Sequence, residues 1–250
     1  MAKNRKKNRR SIAVACAAAV LIVVGSTVAF FSSRDETTNR FAGSRLDIIL
    51  TETNWNPNEA VNVVPGDELP KNPRVTNNER TPGYIFMRVT VPCGNVTMLD
   101  KPDGTSLETS AVNVPLYKFM VSKSDAPLVF EADTTFTSAQ KVRSQWKLVS
   151  GYPKYIEQDK VLTYVYAYST DQTSLTPLLE DQTTEPLFDK LWVWNFNQNS
   201  LNPSGGNQGY VSGRNYNVLV EAFGIQAVLP GLEANRISEI WALLDGGGSG

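Results

Sequence analysis

Tyr84-Ile85-Phe86-Met87-Arg88-Val89-Thr90-Val91 alternates along its length, with Ile85, Met87, Val89 and Val91 on one side and Arg88 and Thr90 on the other. A period of two belongs to a strand with one buried face. The same period recurs downstream. In Val161 to Tyr168, Leu162, Tyr164, Tyr166 and Tyr168 share a face, and in Leu191 to Phe196, Trp192, Trp194 and Phe196 do so. In Tyr216 to Val228, Val218, Val220 and Ala222 alternate with Leu219, Phe223 and Ile225, and Gly224 inside that run predicts a bulge. Leu46 to Glu52, Pro73 to Asn77, Leu116 to Lys123 and Trp146 to Ser150 are shorter candidates.

Turn chemistry separates these runs at Pro65-Gly66-Asp67, Pro82-Gly83, Pro92-Cys93-Gly94-Asn95 and Pro102-Asp103-Gly104. Many short, regularly punctuated strands predict an all-β fold, an antiparallel β-sandwich. One segment breaks the pattern. Ile237, Ile240, Trp241 and Leu244 fall at i, i+3, i+4 and i+7 behind Asn235, a cap residue, which predicts a short C-terminal helix laying one apolar stripe on the sheets. Asn197 to Arg214, rich in Asn, Gly, Ser and Gln, reads as a long mobile loop, and 246–250 as a flexible tail.

The N-terminus carries an address. Lys3, Arg5, Lys6, Lys7, Arg9 and Arg10 precede a charge-free run from Ser11 to Ser33. A cationic region followed by an apolar one is the pattern of an export signal. The most apolar part, Ile12 to Val24, is short, and Gly25, Ser26, Thr27 and Ala29 supply the small residues that a signal peptidase accepts. Cleavage is expected after Ala29, leaving Phe30 at the new N-terminus. The run also approaches the length of a membrane span. An uncleaved anchor is therefore the alternative, and it too would place the body outside, because positive charge stays inside. Cys16 lies mid-run with no lipobox boundary. The expected organisation is a signal peptide over 1–29, an extended segment over 30–45, a sandwich over 46–245 and the tail.

Composition narrows the chemistry. Residues 1–29 hold six of the 24 basic residues and no acid, so the remainder carries 18 basic against 25 acidic residues, a net −7. Such a body is not a nucleic-acid binder, which needs a basic surface. Only Cys93 survives cleavage, so no disulfide forms within the exported chain, and a buried, inert thiol is expected. The chain has no histidine. That excludes imidazole zinc ligands and every nucleophile activated by histidine.

The remaining motifs are weak. Ser144-Gln-Trp-Lys147 has the spacing of serine acyl-enzymes but lacks both companion motifs. Asp100-Lys-Pro-Asp103-Gly104 lacks the ligand spacing of a calcium loop. Trp192, Trp194, Tyr164, Tyr166 and Tyr168 could form a sugar platform, although aromatics alternating on strands more often pack a core. Leu229-Pro230-Gly231 lacks the Thr-Gly and apolar tail of a sorting signal. No catalytic residue, metal ligand or cofactor is assigned.

Three blocks read together carry a resemblance: Gly25-Ser-Thr-Val-Ala-Phe-Phe31, Thr38-Asn-Arg-Phe41-Ala-Gly-Ser-Arg-Leu46-Asp-Ile48, and Pro65-Gly-Asp-Glu-Leu-Pro-Lys71-Asn-Pro73-Arg-Val-Thr-Asn77-Asn78. The ending Tyr216-Asn-Val-Leu-Val-Glu-Ala222-Phe-Gly-Ile225-Gln226-Ala joins them. This order resembles the exported proteins of Gram-positive bacteria processed by the SipW-type signal peptidase, the TasA/camelysin family. The resemblance implies a jelly-roll-like sandwich, secreted or held on the cell surface. It further implies self-association into biofilm matrix fibres, with other matrix components as partners. In that family an N-terminal strand freed by cleavage fills a groove of the next subunit. Carried onto this chain, the donor starts at Phe30-Phe31 and runs towards Phe41, with Leu46 and Ile48 completing its apolar set. Self-packing or an unstructured leader are the alternatives for that segment. Camelysin-type members are classed as metalloproteases, an activity that a chain without histidine does not readily inherit. A surface module binding polysaccharide or a host surface is the alternative function.

Overall fold

A computed structural model of the chain describes residues 46–53, 64–99, 111–122, 133–197 and 217–246. The described strands are β1 (Ile48–Glu52), β2 (Glu68–Pro70), β3 (Pro73–Asn77), β4 (Gly83–Val96), β5 (Val112–Pro115), β6 (Tyr117–Met120), β7 (Trp146–Leu148), β8 (Lys154–Ile156), β9 (Val161–Tyr168), β10 (Lys190–Val193) and β11 (Leu219–Gln226), followed by helix α1 (Ile237–Gly246). Every described strand pair is antiparallel. The fold is all-β and sandwich-like, as the alternation predicts.

The larger layer runs β11-β4-β9-β7, with β8 added to β9 and β5 to the far end of β4. Opposite lie a three-stranded sheet, β2-β10-β6, and the pair β1-β3. Thr184 N donates to Val75 O at 2.9 Å and Leu187 N to Pro73 O at 3.0 Å, so the segment leading into β10 runs along the second edge of β3. One core fills the space between the layers. Ile85, Met87, Val89 and Val91 of β4 and Leu162, Tyr164 and Tyr166 of β9 meet Val75, Phe119, Leu191 and Val193 there.

The opposite face of β4, β9 and β11 is covered by α1. Ile237, Ile240, Trp241 and Leu244 are all buried, on Tyr84, Phe86, Val165, Ala167, Phe223 and Ile225. Trp241 meets the Phe223 ring edge-on at 5.2 Å and donates its indole N–H to the Tyr152 hydroxyl at 2.9 Å. Burying each such apolar side chain contributes about 1.5–3 kcal/mol, far more than the intrinsic propensity of a ten-residue helix.

Four local readings need correction. Pro92-Cys93-Gly94-Asn95 is not a turn, because β4 continues through it to Val96. The ladder to β11 ends at Thr90 and the ladder to β5 begins at Cys93, while Pro92 O accepts from Leu116 N on that same edge. The N–H that proline lacks thus falls at the junction between two partners, where no ladder bond is lost. In β10 the buried pair is Leu191 and Val193, with Trp192 half-buried on the other face. The strand stops at Val193, and Trp194 and Phe196 turn inward beyond it. The first intrahelical bond of α1 runs from Ile240 N to Arg236 O at 3.0 Å, so the cap residue is Arg236, one after Asn235. Finally, β11 keeps an unbroken register across Gly224, opposite Ile85, with no bulge.

Candidate assembly site

Ala29, Phe30, Phe31 and Phe41 lie outside the described residues, as do most of the loop expected at Asn197 to Arg214 and the Pro102-Asp103-Gly104 turn. Leu46 and Ile48 are described, and they lie where that N-terminal segment joins the body. Both are buried in the core of their own chain, at 0% and 2% exposure. The two glycines beside them explain how. A methyl group at Gly83 would overlap Leu46 Cδ2, and one at Gly224 would stand 2.8 Å from Leu46 Cδ2 and 3.3 Å from Ile48 Cδ1. Gly224 is therefore glycine because a neighbouring side chain occupies the space of its Cβ.

β1 has a single hydrogen-bonded neighbour among the described strands, β3, in the register Ile48↔Asn77 to Glu52↔Pro73. Polar side chains pin it along its length. Asn78 Nδ2 donates to Asp47 Oδ2 at 2.8 Å, Asn72 Nδ2 to Thr53 Oγ1 at 2.9 Å, and Lys71 Nζ to Glu52 at 2.6 Å. Lys71 and Glu52 are buried together, with side chains 2% and 7% exposed. Asn77 is fully buried and donates to Thr81 O at 3.0 Å and Leu178 O at 2.9 Å. At Pro65-Gly66-Asp67, Gly66 takes φ +94°, Asp67 Oδ2 accepts from Val64 N at 2.9 Å, and Gly66 N donates to Val193 O at 3.0 Å.

The part of this block from Lys71 to Asn78 thus fastens β1, while Pro65-Gly66-Asp67 ties to β10. Sequence reasoning quoted these residues without giving them this role. For Asn77 a signal exists, since period two puts it on the face of Val75. For Lys71 none does, because its partner stands nineteen residues away.

The other candidates do not converge on a chemical site. Ser144 is exposed in a turn and Lys147 lies on β7. Tyr164, Tyr166 and Trp194 are core residues, which leaves Trp192 and Tyr168 half-buried. Burial pushes the Cys93 thiol up to about 12, and it raises the Tyr164 and Tyr166 phenols well above their ordinary range. Under α1, burial disfavours the charge of Arg88, but the bidentate bonds to Glu221 at 2.7 and 3.0 Å and Asp245 at 3.5 Å outweigh it and raise its pKa.

Residues 5–81 match the family model described as camelysin metallo-endopeptidase. The match takes in the basic cap from Arg5 onward, the charge-free run and β1 to β3, and it ends just before β4. It bears out the camelysin side of the resemblance over this segment. No curated protein and no solved structure matches the chain. The metal in that family description does not fit the residues described. The chain has no histidine, Cys93 is a buried thiol, and no group of three or more His, Cys, Asp or Glu side chains converges among the described residues. No hydrolytic step is derived. Among the described residues no helix is long and apolar enough to cross a membrane.

Proposed function

We propose that the chain is a structural protein of the cell exterior. In this reading it is exported, cut after Ala29 by a SipW-type signal peptidase, and assembled into extracellular fibres. The segment 30–45 of one copy docks on the next. The carrying observation is the construction of β1. Leu46 and Ile48 are keyed into Gly83 and Gly224, and three polar side-chain contacts hold β1 and its flanks, so the first described residues form a fixed root for the segment proposed to dock. The resemblance of the sequence to the TasA/camelysin family, which implies fibre formation, supports the same reading, and residues 5–81 match the camelysin model within it.

The energetics favour docking through side chains. A strand added to a sheet edge gains ~1 kcal/mol per backbone hydrogen bond. Ordering each residue costs about 1–2 kcal/mol. Those terms roughly cancel, and burying Phe30, Phe31 and Phe41 at about 1.5–3 kcal/mol each tips the balance towards assembly. A head-to-tail contact of this kind does not close on itself, so filaments follow. Leu46 and Ile48, already buried in their own chain, act here as the anchor of the arm. Deleting Phe30 to Asn39 is expected to leave a folded, soluble monomer that forms no filaments by electron microscopy. Undiminished filaments from the truncated protein would refute the reading.

One observation favours the adhesion alternative. Trp192 is half-buried on the outer face of β10, directly between Glu68 of β2 and Lys118 of β6. Retention on a polysaccharide column that is lost in Trp192→Ala would support a binding module instead.

A further inference from the structure

Among the described strands, the sheet β2-β10-β6 ends at β6, which pairs with β10 alone. Leu116 O and Met120 O accept from Trp194 N and Asp189 N on the β10 side, at 3.1 and 2.9 Å. Backbone groups alternate in direction along a strand, so Tyr117 and Phe119 present their N–H and C=O to the opposite edge. A side chain meets them there. Gln140 Oε1 accepts from Phe119 N at 3.1 Å, and Gln140 Nε2 donates to Tyr117 O at 3.2 Å. One acceptor and one donor reaching the residues on either side of Lys118 are what a single residue of a parallel strand supplies. Nε2 also lies 3.4 Å from the Tyr164 hydroxyl of β9, so the amide bridges the two layers. Gln140 itself belongs to no strand. It is half-buried between exposed neighbours, Ala139 and Lys141, in an irregular stretch that Arg143 ties to Asp189 at 2.7 and 3.0 Å.

We infer that the Gln140 amide seals the β6 edge, standing in for a strand and keeping that edge from pairing with β2 of a second copy of this chain. An edge strand with unmet N–H and C=O groups is a template for another chain. The partner follows from the sheet's own topology. β2 is the other end of the same sheet, and among the described strands it too pairs with β10 alone. Both β2 and β6 are antiparallel to β10, so they run parallel to each other. A second copy in the same orientation therefore brings a parallel strand to β6, which is the partner that Gln140 imitates. Contacts of this kind are backbone to backbone and need no particular side chain, so one amide suffices to block them. The inference rests on β2 and β6 and not on segment 30–45, so it stands or falls independently of the proposed fibres.

Hydrogen exchange on the full-length exported protein tests the seal first. The Phe119 amide of the wild type should be protected, and exchange as fast as at exposed Thr137 would overturn the inference with no variant needed. Gln140→Met keeps the length of the side chain and removes both bonds. It should lose the protection of Phe119, keep that of Val89 in β4, and associate at lower concentration than wild type in sedimentation velocity. A carbodiimide cross-link between Lys118 of one copy and Glu68 of another, read in a mixture of isotope-labelled and unlabelled protein, should mark the new contact. Association without that cross-link would remove β2 as the partner. Gln140→Glu still accepts from Phe119 N but cannot donate to Tyr117 O, so it should associate more than wild type and less than Gln140→Met. Wild-type sedimentation of whichever variant folds would leave Gln140 a local hydrogen-bond partner and overturn the seal.

Discussion

The two ends of the described chain dock on the sandwich by opposite means. α1 lies on β4, β9 and β11 through a stripe of four apolar residues and three aromatic contacts of Trp241. β1 is fixed by two glycine sockets and by polar contacts, one of them a buried ion pair. Apolar packing is tolerant, because a side chain of similar size can replace another at modest cost. A buried charge or a missing Cβ is not tolerant, since each admits one partner in one place. The helix is thus held by area and the strand by position.

The largest effect should come from breaking the ion pair. Lys71→Met leaves Glu52 buried without its main cation, and the expected loss is about 3–5 kcal/mol in denaturant unfolding. Adding Glu52→Leu should restore much of it. If the single variant unfolds like wild type, position is not what fixes β1. On the helix side, Ile240→Ala should cost about 2–4 kcal/mol through the cavity beneath α1, while leaving filament formation intact. Loss of filaments at wild-type-like stability would join the two regions that this comparison separates. Gly224→Ala should cost about 1–3 kcal/mol by overpacking Leu46 and Ile48. Leu46→Ala in the same chain should recover part of that loss.

The smallest effect concerns the core between the layers, which Leu46 and Ile48 share. The folded-state pKa of Cys93 is raised from 9.0 to about 12 by burial. A raised pKa means that its contribution to stability is complete below pH about 9 and is lost as pH rises towards about 12. Tyr164 and Tyr166 shift in the same direction. Stability should therefore decline on the alkaline side, and Cys93→Ala should flatten that decline. A thiol reagent at neutral pH should leave native Cys93 unmodified and label it in denaturant.

Much of this architecture was legible locally. The strands Pro73–Asn77 and Val161–Tyr168 carry the bounds that their alternation predicts, and the four buried residues of α1 are those its spacing selects. β2, β5 and β8 were missed because three or four residues do not establish a period. The anchoring side chains were harder. Leu46 and Ile48 read as apolar strand residues, but nothing near them announces two distant glycines.

The sequence by itself determined the antiparallel sandwich, the helix and its inward face, because burial imposes a period that neighbouring residues reveal. Only the tertiary structure decided that β4 runs on through Pro92, that Gly224 makes room instead of a bulge, and that Lys71 meets Glu52. Each of these depends on which strand arrives at an edge or a Cβ position from far along the chain, and a local period carries no record of that partner.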